Sequence, residues 1–184
     1  MSQSTENVRV RRTRKLLREA LVELIEERGF DRLTVGEITE RAMVSRAAFY
    51  RNYRDKYQLV EQIFDEAMAA LLGTMTDGAE RPPLERWAAF FEHVAHYERL
   101  YGALLGKKGS PWFATRMRAS LATMVSEHLP PKPSGELVPT LVGAMFVQAI
   151  TWWLDNGRPS TPEQIANQTA QLASAVIAEA KSWA

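Results

Sequence analysis

Residues 34–59, TVGEITERAMVSRAAFYRNYRDKYQL, decide how the rest of the chain is read. Two short helical patterns flank a tight turn. Val35, Ile38 and Ala42 share one face of the first, and Ala48 and Phe49 turn inward on the second. This is helix-turn-helix spacing. Thr34 and Ser45 each precede a helical run, where a hydroxyl accepts a hydrogen bond from a backbone N–H that the helix leaves unpaired. After Ser45 come Arg46, Tyr50, Arg51, Asn52, Tyr53, Arg54 and Lys56, a cluster of cations and hydrogen-bonding groups on and just beyond a very short helix. Such side chains suit phosphates and base edges, so the stretch reads as a DNA-reading element.

Working outward, residues 8–28 repeat apolar residues at i, i+3, i+4 spacing (Leu16, Leu17, Ala20, Leu21, Leu24, Ile25), and Gly29 is placed to cap this helix. Residues 1–7 read as a frayed tail. Arg9, Arg11, Arg12, Arg14, Lys15 and Arg18 surround the helix start, either as a basic arm for phosphate and minor groove or as a solubilising surface. From Lys56 a longer helix runs through Ile63, Phe64 and Met68 to the break GTMTDGAERPP at residues 73–83. Helical patterns follow at residues 84–97, 101–105, 112–129 and 137–154, with a second break, PPKPSG, at 130–135. The 137–154 pattern is apolar over nearly its whole circumference, which implies burial on more than one side. Thr161, Pro162 and Glu163 then open a last helix.

The ordered set Thr34, Val35, Ile38, Thr39, Ala42, Met43, Val44, Ser45, Tyr50, Tyr53, Lys56 and Leu59 resembles the N-terminal domain of TetR/AcrR-type one-component transcriptional regulators. Thr39 stands for the family's small Ala, Tyr53 for its Phe, and Met43 for its turn Gly. The last departure matters most, because a left-handed backbone costs a residue with a Cβ roughly 1 kcal/mol or more. The resemblance implies an all-α protein with a three-helix helix-turn-helix head at residues 1–56. A linking helix joins it to a helical ligand-binding and dimerisation domain at 57–184. It implies a DNA-binding regulator, more often a repressor, that binds a palindromic double-stranded operator as a homodimer through its last two helices and is released by a small molecule. Carried over by position, Arg46 and Ala48 face base edges and Thr34, Ser45, Tyr50 and Lys56 hold phosphate, with Arg51, Asn52 and Tyr53 near enough to join them. The C-terminal domain should hold the effector pocket, for which Trp87, Phe91, Met117, Met145 and Trp152 are the candidate linings. The same residues at helical spacing also suit plain core.

Composition bounds the alternatives. The chain has 184 residues, 46% hydrophobic and 24% charged, enough to bury a core. With no Cys, disulfides, thiolate metal sites and cysteine nucleophiles are excluded. Residues 1–60 carry 13 Lys/Arg against 9 Asp/Glu, whereas 61–184 carry 10 against 13, so the basic excess lies with the helix-turn-helix. No signal-peptide pattern and no uninterrupted membrane-spanning run is read, which points to the cytoplasm. His93 and His96 beside Glu92 form at most an incomplete metal set and read as helix-surface histidines, and His128 stands alone near a helix end. No phosphate loop or nucleophile elbow supports an enzyme, and no cofactor is expected. The rival from another class is a ligand-binding or interaction protein of the same fold that lacks operator binding. Met43 and the Ala47-Ala48 pair, which offers no base hydrogen bonds, leave room for it.

Overall fold

The computed structural model describes residues 2–76, 83–127 and 136–182, and all regular structure among them is helical. Residues 77–82 of the break read at 73–83, the whole of the break read at 130–135, and His128 lie outside the described residues. The first helix, α1 (Ser2–Arg28), begins at Ser2, so the segment read as a tail continues the helix. Leu17, Leu21, Leu24 and Ile25 form its buried stripe. Gly29 ends it at φ +81°, its N–H donating to the Ile25 carbonyl at 2.8 Å.

The short helices α2 (Val35–Arg41) and α3 (Arg46–Tyr50) close against α1. Phe30, Leu33, Ile38, Phe49 and Tyr53 complete the core of this head. α2 ends in a Schellman motif: the Val44 N–H donates to the Thr39 carbonyl at 2.9 Å and the Met43 N–H to the Glu40 carbonyl at 3.1 Å. The motif requires a left-handed residue, and Met43 supplies it at φ +51°. The strain expected from the missing turn Gly is therefore present. Met43 is 92% exposed, so its side chain offers no compensating burial. Met43→Gly should relieve about 1–2 kcal/mol of backbone strain and lose about 0.4–1 kcal/mol to a freer unfolded chain. The expected net gain of about 0.5–1 kcal/mol is readable by urea denaturation, and a loss of stability would contradict this account of the turn.

α4 (Lys56–Thr76) links head to body and runs through Gly73, three residues past where the sequence suggests a break. The body comprises α5 (Pro83–His96), α6 (Glu98–Leu105), α7 (Pro111–Glu127), α8 (Leu137–Asp155) and α9 (Pro162–Lys181). α8 packs along α7, and α9 along α5. Gly143 permits the first contact: a Cβ there would lie 2.7 Å from the Arg118 carbonyl oxygen and 2.9 Å from the Ala122 nitrogen. By length and mean composition α8 is apolar enough to cross a membrane, although Thr140, Gln148 and Thr151 interrupt its apolar run. Its buried face, which includes Val142, Phe146, Ile150 and Trp153, is packed into the body, and the Trp153 indole N–H donates to the Ser160 carbonyl at 2.9 Å. Helix α9 opens with a capping box between Thr161 and Gln164.

One face of α8 finds no cover among the described residues. Leu137, Leu141 and Trp152 are each about half exposed and repeat at helical spacing along one stripe, with Leu172 of α9 61% exposed.

Candidate nucleic-acid interface

The geometry of the helix-turn-helix is fixed by its caps. The Thr34 hydroxyl accepts from the Glu37 N–H at 3.2 Å, while the Glu37 carboxylate accepts from the Thr34 N–H at 2.9 Å and from its hydroxyl at 2.8 Å. This capping box sets the start of α2. These hydrogen bonds, with Arg28 at 2.8 Å, hold the Glu37 carboxyl below its ordinary pKa. The Ser45 hydroxyl accepts from the Ala48 N–H at 3.1 Å and sets the start of α3, which leaves its proton available to an outside acceptor such as phosphate. Thr39, the residue standing for Ala, is buried and satisfies its hydroxyl on the Gly36 carbonyl at 2.9 Å.

Charge is unevenly committed. Arg41 is bound to Glu27 at 2.8 Å and to Glu23 at 3.1 Å, and Arg28 to Glu37. Arg46 and Arg51 are exposed and have no ion-pair partner among the described residues. The cations nearest α3 are thus the ones left to meet an external anion. Arg46 lies back across α2, its guanidinium 2.7 Å from where a Cβ on Gly36 would stand, so the glycine makes room for it.

The nine residues read as DNA contacts do not share one surface. Thr34, Ser45, Arg46, Tyr50 and Arg51 are exposed. Ala48 is half-buried, and the neighbouring Ala47 is the exposed alanine on the helix, a position that the inward-turning reading of Ala48 passed over. Asn52 is half-buried, with its amide donating to the Ala48 carbonyl at 2.9 Å. Tyr53 is redirected: it is 2% exposed, and its ring lies 5.6 Å from that of Phe49 in the head core. Lys56 is redirected as well. It is 8% exposed, and its ammonium donates to the carbonyls of Phe30, Asp31 and Leu33, each at 2.9 Å. A group holding three carbonyls in the core is positioned to fasten the α1–α2 loop, not to reach a phosphate. The Phe30 and Tyr57 rings flank it at 4.7 and 5.3 Å, and Trp112 of α7 packs on both rings, which joins head to body.

The five residues read as pocket lining also diverge. Phe91 and Met117 are fully buried, Trp87 is stacked on Phe146 at 3.8 Å between ring centroids, and Met145 is half-buried. Trp152 lies on the exposed stripe of α8, while its neighbour Trp153 takes the core position beside Phe91. His93 is half-buried, its ring 4.7 Å from that of Tyr97 and 6.0 Å from that of Tyr101, so it packs inside a ring cluster instead of lying on an open surface.

Comparisons with known proteins agree with this architecture. Residues 17–63 match the family described as bacterial regulatory proteins, tetR family, and residues 84–175 match a transcriptional regulator C-terminal region. The chain is similar to the uncharacterized HTH-type transcriptional regulator YxbF of Bacillus subtilis (strain 168), at 21% identity over 86% of this chain and 44% of that protein. The chain thus spans less than half the length of that relative. Among solved structures it resembles a TetR transcriptional regulator from Streptococcus agalactiae 2603V, with a TM-score of 0.65, 18% identity and coverage of 94% of this chain and 99% of the other. It also resembles Thermus thermophilus FadR, a TetR family repressor solved in complex with lauroyl-CoA, with a TM-score of 0.52, 19% identity and coverage of 87% and 92%. The two family matches cover the head and most of the body, and the chain belongs to the TetR family of DNA-binding transcriptional regulators.

Proposed function

We propose that the protein is a cytoplasmic repressor that binds a palindromic operator as a homodimer and is released when a small molecule occupies its C-terminal domain. The observation that carries the DNA reading is the exposed surface of α3, where Arg46, Ala47, Tyr50 and Arg51 stand on a helix held by the Ser45 cap. Arg46 reads base edges, with a guanine the best match to its paired N–H groups. Ser45, Tyr50 and Arg51 approach the phosphates, whereas Thr34, whose N–H and hydroxyl both donate to Glu37, fixes the start of α2 instead of holding a phosphate itself. Ala47 and Ala48 offer only methyl groups, which suit the methyl of thymine.

The homodimer reading rests on the apolar stripe of Leu137, Leu141 and Trp152 with Leu172, which faces solvent in a single chain. A two-fold pair presents two copies of α3, and an operator of matching symmetry follows, with half-sites about one helical turn apart. The effector's seat is the aromatic and sulfur-rich body around Trp87, Phe91, Met117 and Met145. The lauroyl-CoA on the FadR neighbour makes an apolar chain a reasonable first class to try. Release follows if the ligand prefers a head arrangement that does not fit the operator.

The experiment that tests the reading is a genomic-fragment binding selection at about 0.15 M salt, followed by footprinting of the winners. A protected palindrome is the expected result, and binding indifferent to sequence would overturn the operator reading. With an operator in hand, Arg46→Ala should reduce discrimination at one base position by about 1–3 kcal/mol. Arg51→Ala should instead weaken all duplexes alike and lower the log-log salt slope by about 0.9. Equal loss of preference in both variants would contradict this division of roles.

A further inference from the structure

A second cationic site lies away from the helix-turn-helix. A cleft of about 670 Å3 opens between the middle of α1 and the turn that joins α5 to α6, and Arg158 closes it from the turn between α8 and α9. Arg11, Arg14, Lys15, Arg18, Arg99 and Arg158 line it, against the carboxylates of Glu19 and Glu98. Arg11 and Arg18 are not free of interactions, and the pairings on the wall include Lys15 with Glu19 at 3.8 Å and Arg158 with Glu98 at 2.8 Å, while Arg99 pairs with Glu26, outside the lining, at 3.0 Å. Even with Glu26 counted, the cations outnumber the carboxylates two to one among the described residues. The Arg14 Nε atom is hidden from solvent and has no hydrogen-bond acceptor among them, an unusual state for a guanidinium donor. A group that supplies acceptor oxygens inside the cleft would satisfy it.

We propose that this cleft binds a small phosphorylated molecule, one bringing at least two phosphate charges to the arginines and resting its organic part on the floor. Guanidinium groups hold phosphate oxygens through paired, charge-assisted N–H bonds, and several of them converging from different elements suit a polyanion better than a single carboxylate. The floor supplies the rest: Val22, Ala95 and Leu100 are apolar, and Tyr97 adds a ring. The volume falls in the usual range for small-molecule sites, roughly 300–1,000 Å3. A duplex backbone is a poorer occupant, because the cations line a concavity walled by the body and not a ridge that a groove could straddle. The site stands independently of which operator the head reads. Its walls belong to different parts of the chain, α1 to the head and the α5–α6 and α8–α9 turns to the body, so an occupant would tie the two together.

The test is calorimetric titration of the full chain with inorganic pyrophosphate at constant ionic strength. Two variants approach the cleft from opposite walls: a double variant, Arg14→Gln with Lys15→Gln, and Arg158→Gly. The second suits the backbone, since Arg158 sits at φ +57°, where glycine is at ease, so it keeps the test readable if the double variant does not fold. Saturable binding at one site per chain is expected, weakened by about tenfold or more in each variant that keeps the parent helicity. Absence of binding up to about 1 mM, or unchanged affinity in either folded variant, would overturn the site. So would a double variant that lowers the salt slope of duplex binding while the parent ignores pyrophosphate, since that result assigns the cations to the DNA backbone.

Discussion

Lys56→Met lowers the stability of the protein by about 3–5 kcal/mol, the largest loss expected from any single exposed-looking position in the sequence. Methionine keeps the apolar stem and nearly the volume, so the loss isolates the ammonium. That ammonium donates to the carbonyls of Phe30, Asp31 and Leu33, all at 2.9 Å, in a site that leaves the residue 8% exposed. Hydrogen bonds to a charged group contribute about 1.5–3 kcal/mol each, and a buried carbonyl left without a donor costs about 1–3 kcal/mol. Burial pushes the Lys56 pKa down, and the nearby carboxylates of Asp31 and Glu37 pull it partly back. The geometry favours the charged form, because only an ammonium has three N–H groups for three carbonyls. Since a domain of this kind is stable by about 5–15 kcal/mol in all, the variant should melt early or fail to accumulate. Urea denaturation followed by helical circular dichroism reads the effect. A loss below about 1 kcal/mol would mean that the three carbonyls find water instead, and the loop is not fastened as described.

That residue marks where sequence stops informing. The capping box of Thr34 and Glu37 is visible in the sequence as a hydroxyl residue followed three places later by an acid, and the Schellman turn at Met43 is visible because the neighbouring positions match a pattern with glycine there. Both are local, decided within a few residues. The role of Lys56 is set by carbonyls 23 to 26 residues away, and a lysine just after Arg46, Arg51 and Arg54 reads as a phosphate ligand until the loop is folded around it. Tyr53 fails for a related reason: a hydroxyl suggests a contact, but the ring fills the space beneath α3. The adjacent Trp152 and Trp153 show a second limit. When a helix is apolar nearly all round, periodicity cannot say which of two neighbouring tryptophans faces the core, and only the packing of α8 against α7 and α9 decides. The cationic cleft was invisible for the same reason, since its arginines come from α1, α6 and the α8–α9 turn.

Trp152→Glu should split the proposed dimer while leaving each chain folded. Trp152 is 49% exposed and stands on the stripe with Leu137 and Leu141, whereas Trp153, which anchors α8, is fully buried and untouched by the change. In a two-fold pair the substitution enters twice, placing two carboxylates where two indoles would lie, and each must either keep its water or be buried unpaired. Loss of a central aromatic anchor alone costs about 2 kcal/mol or more, and the added charges raise this, so the dimer dissociation constant should rise at least about 100-fold. Sedimentation of a dilution series reads that shift directly, with helicity as the control for folding. Operator binding should fall with it, because two linked half-site contacts become independent ones and the gain from effective concentration is lost. A variant that remains dimeric at the dilution where the parent does would move the interface off this stripe, and leave Leu137, Leu141 and Leu172 as an apolar surface in need of another partner. A variant that is monomeric yet holds the palindrome undiminished would instead sever operator recognition from dimerisation, so the two measurements separate the interface from the function assigned to it.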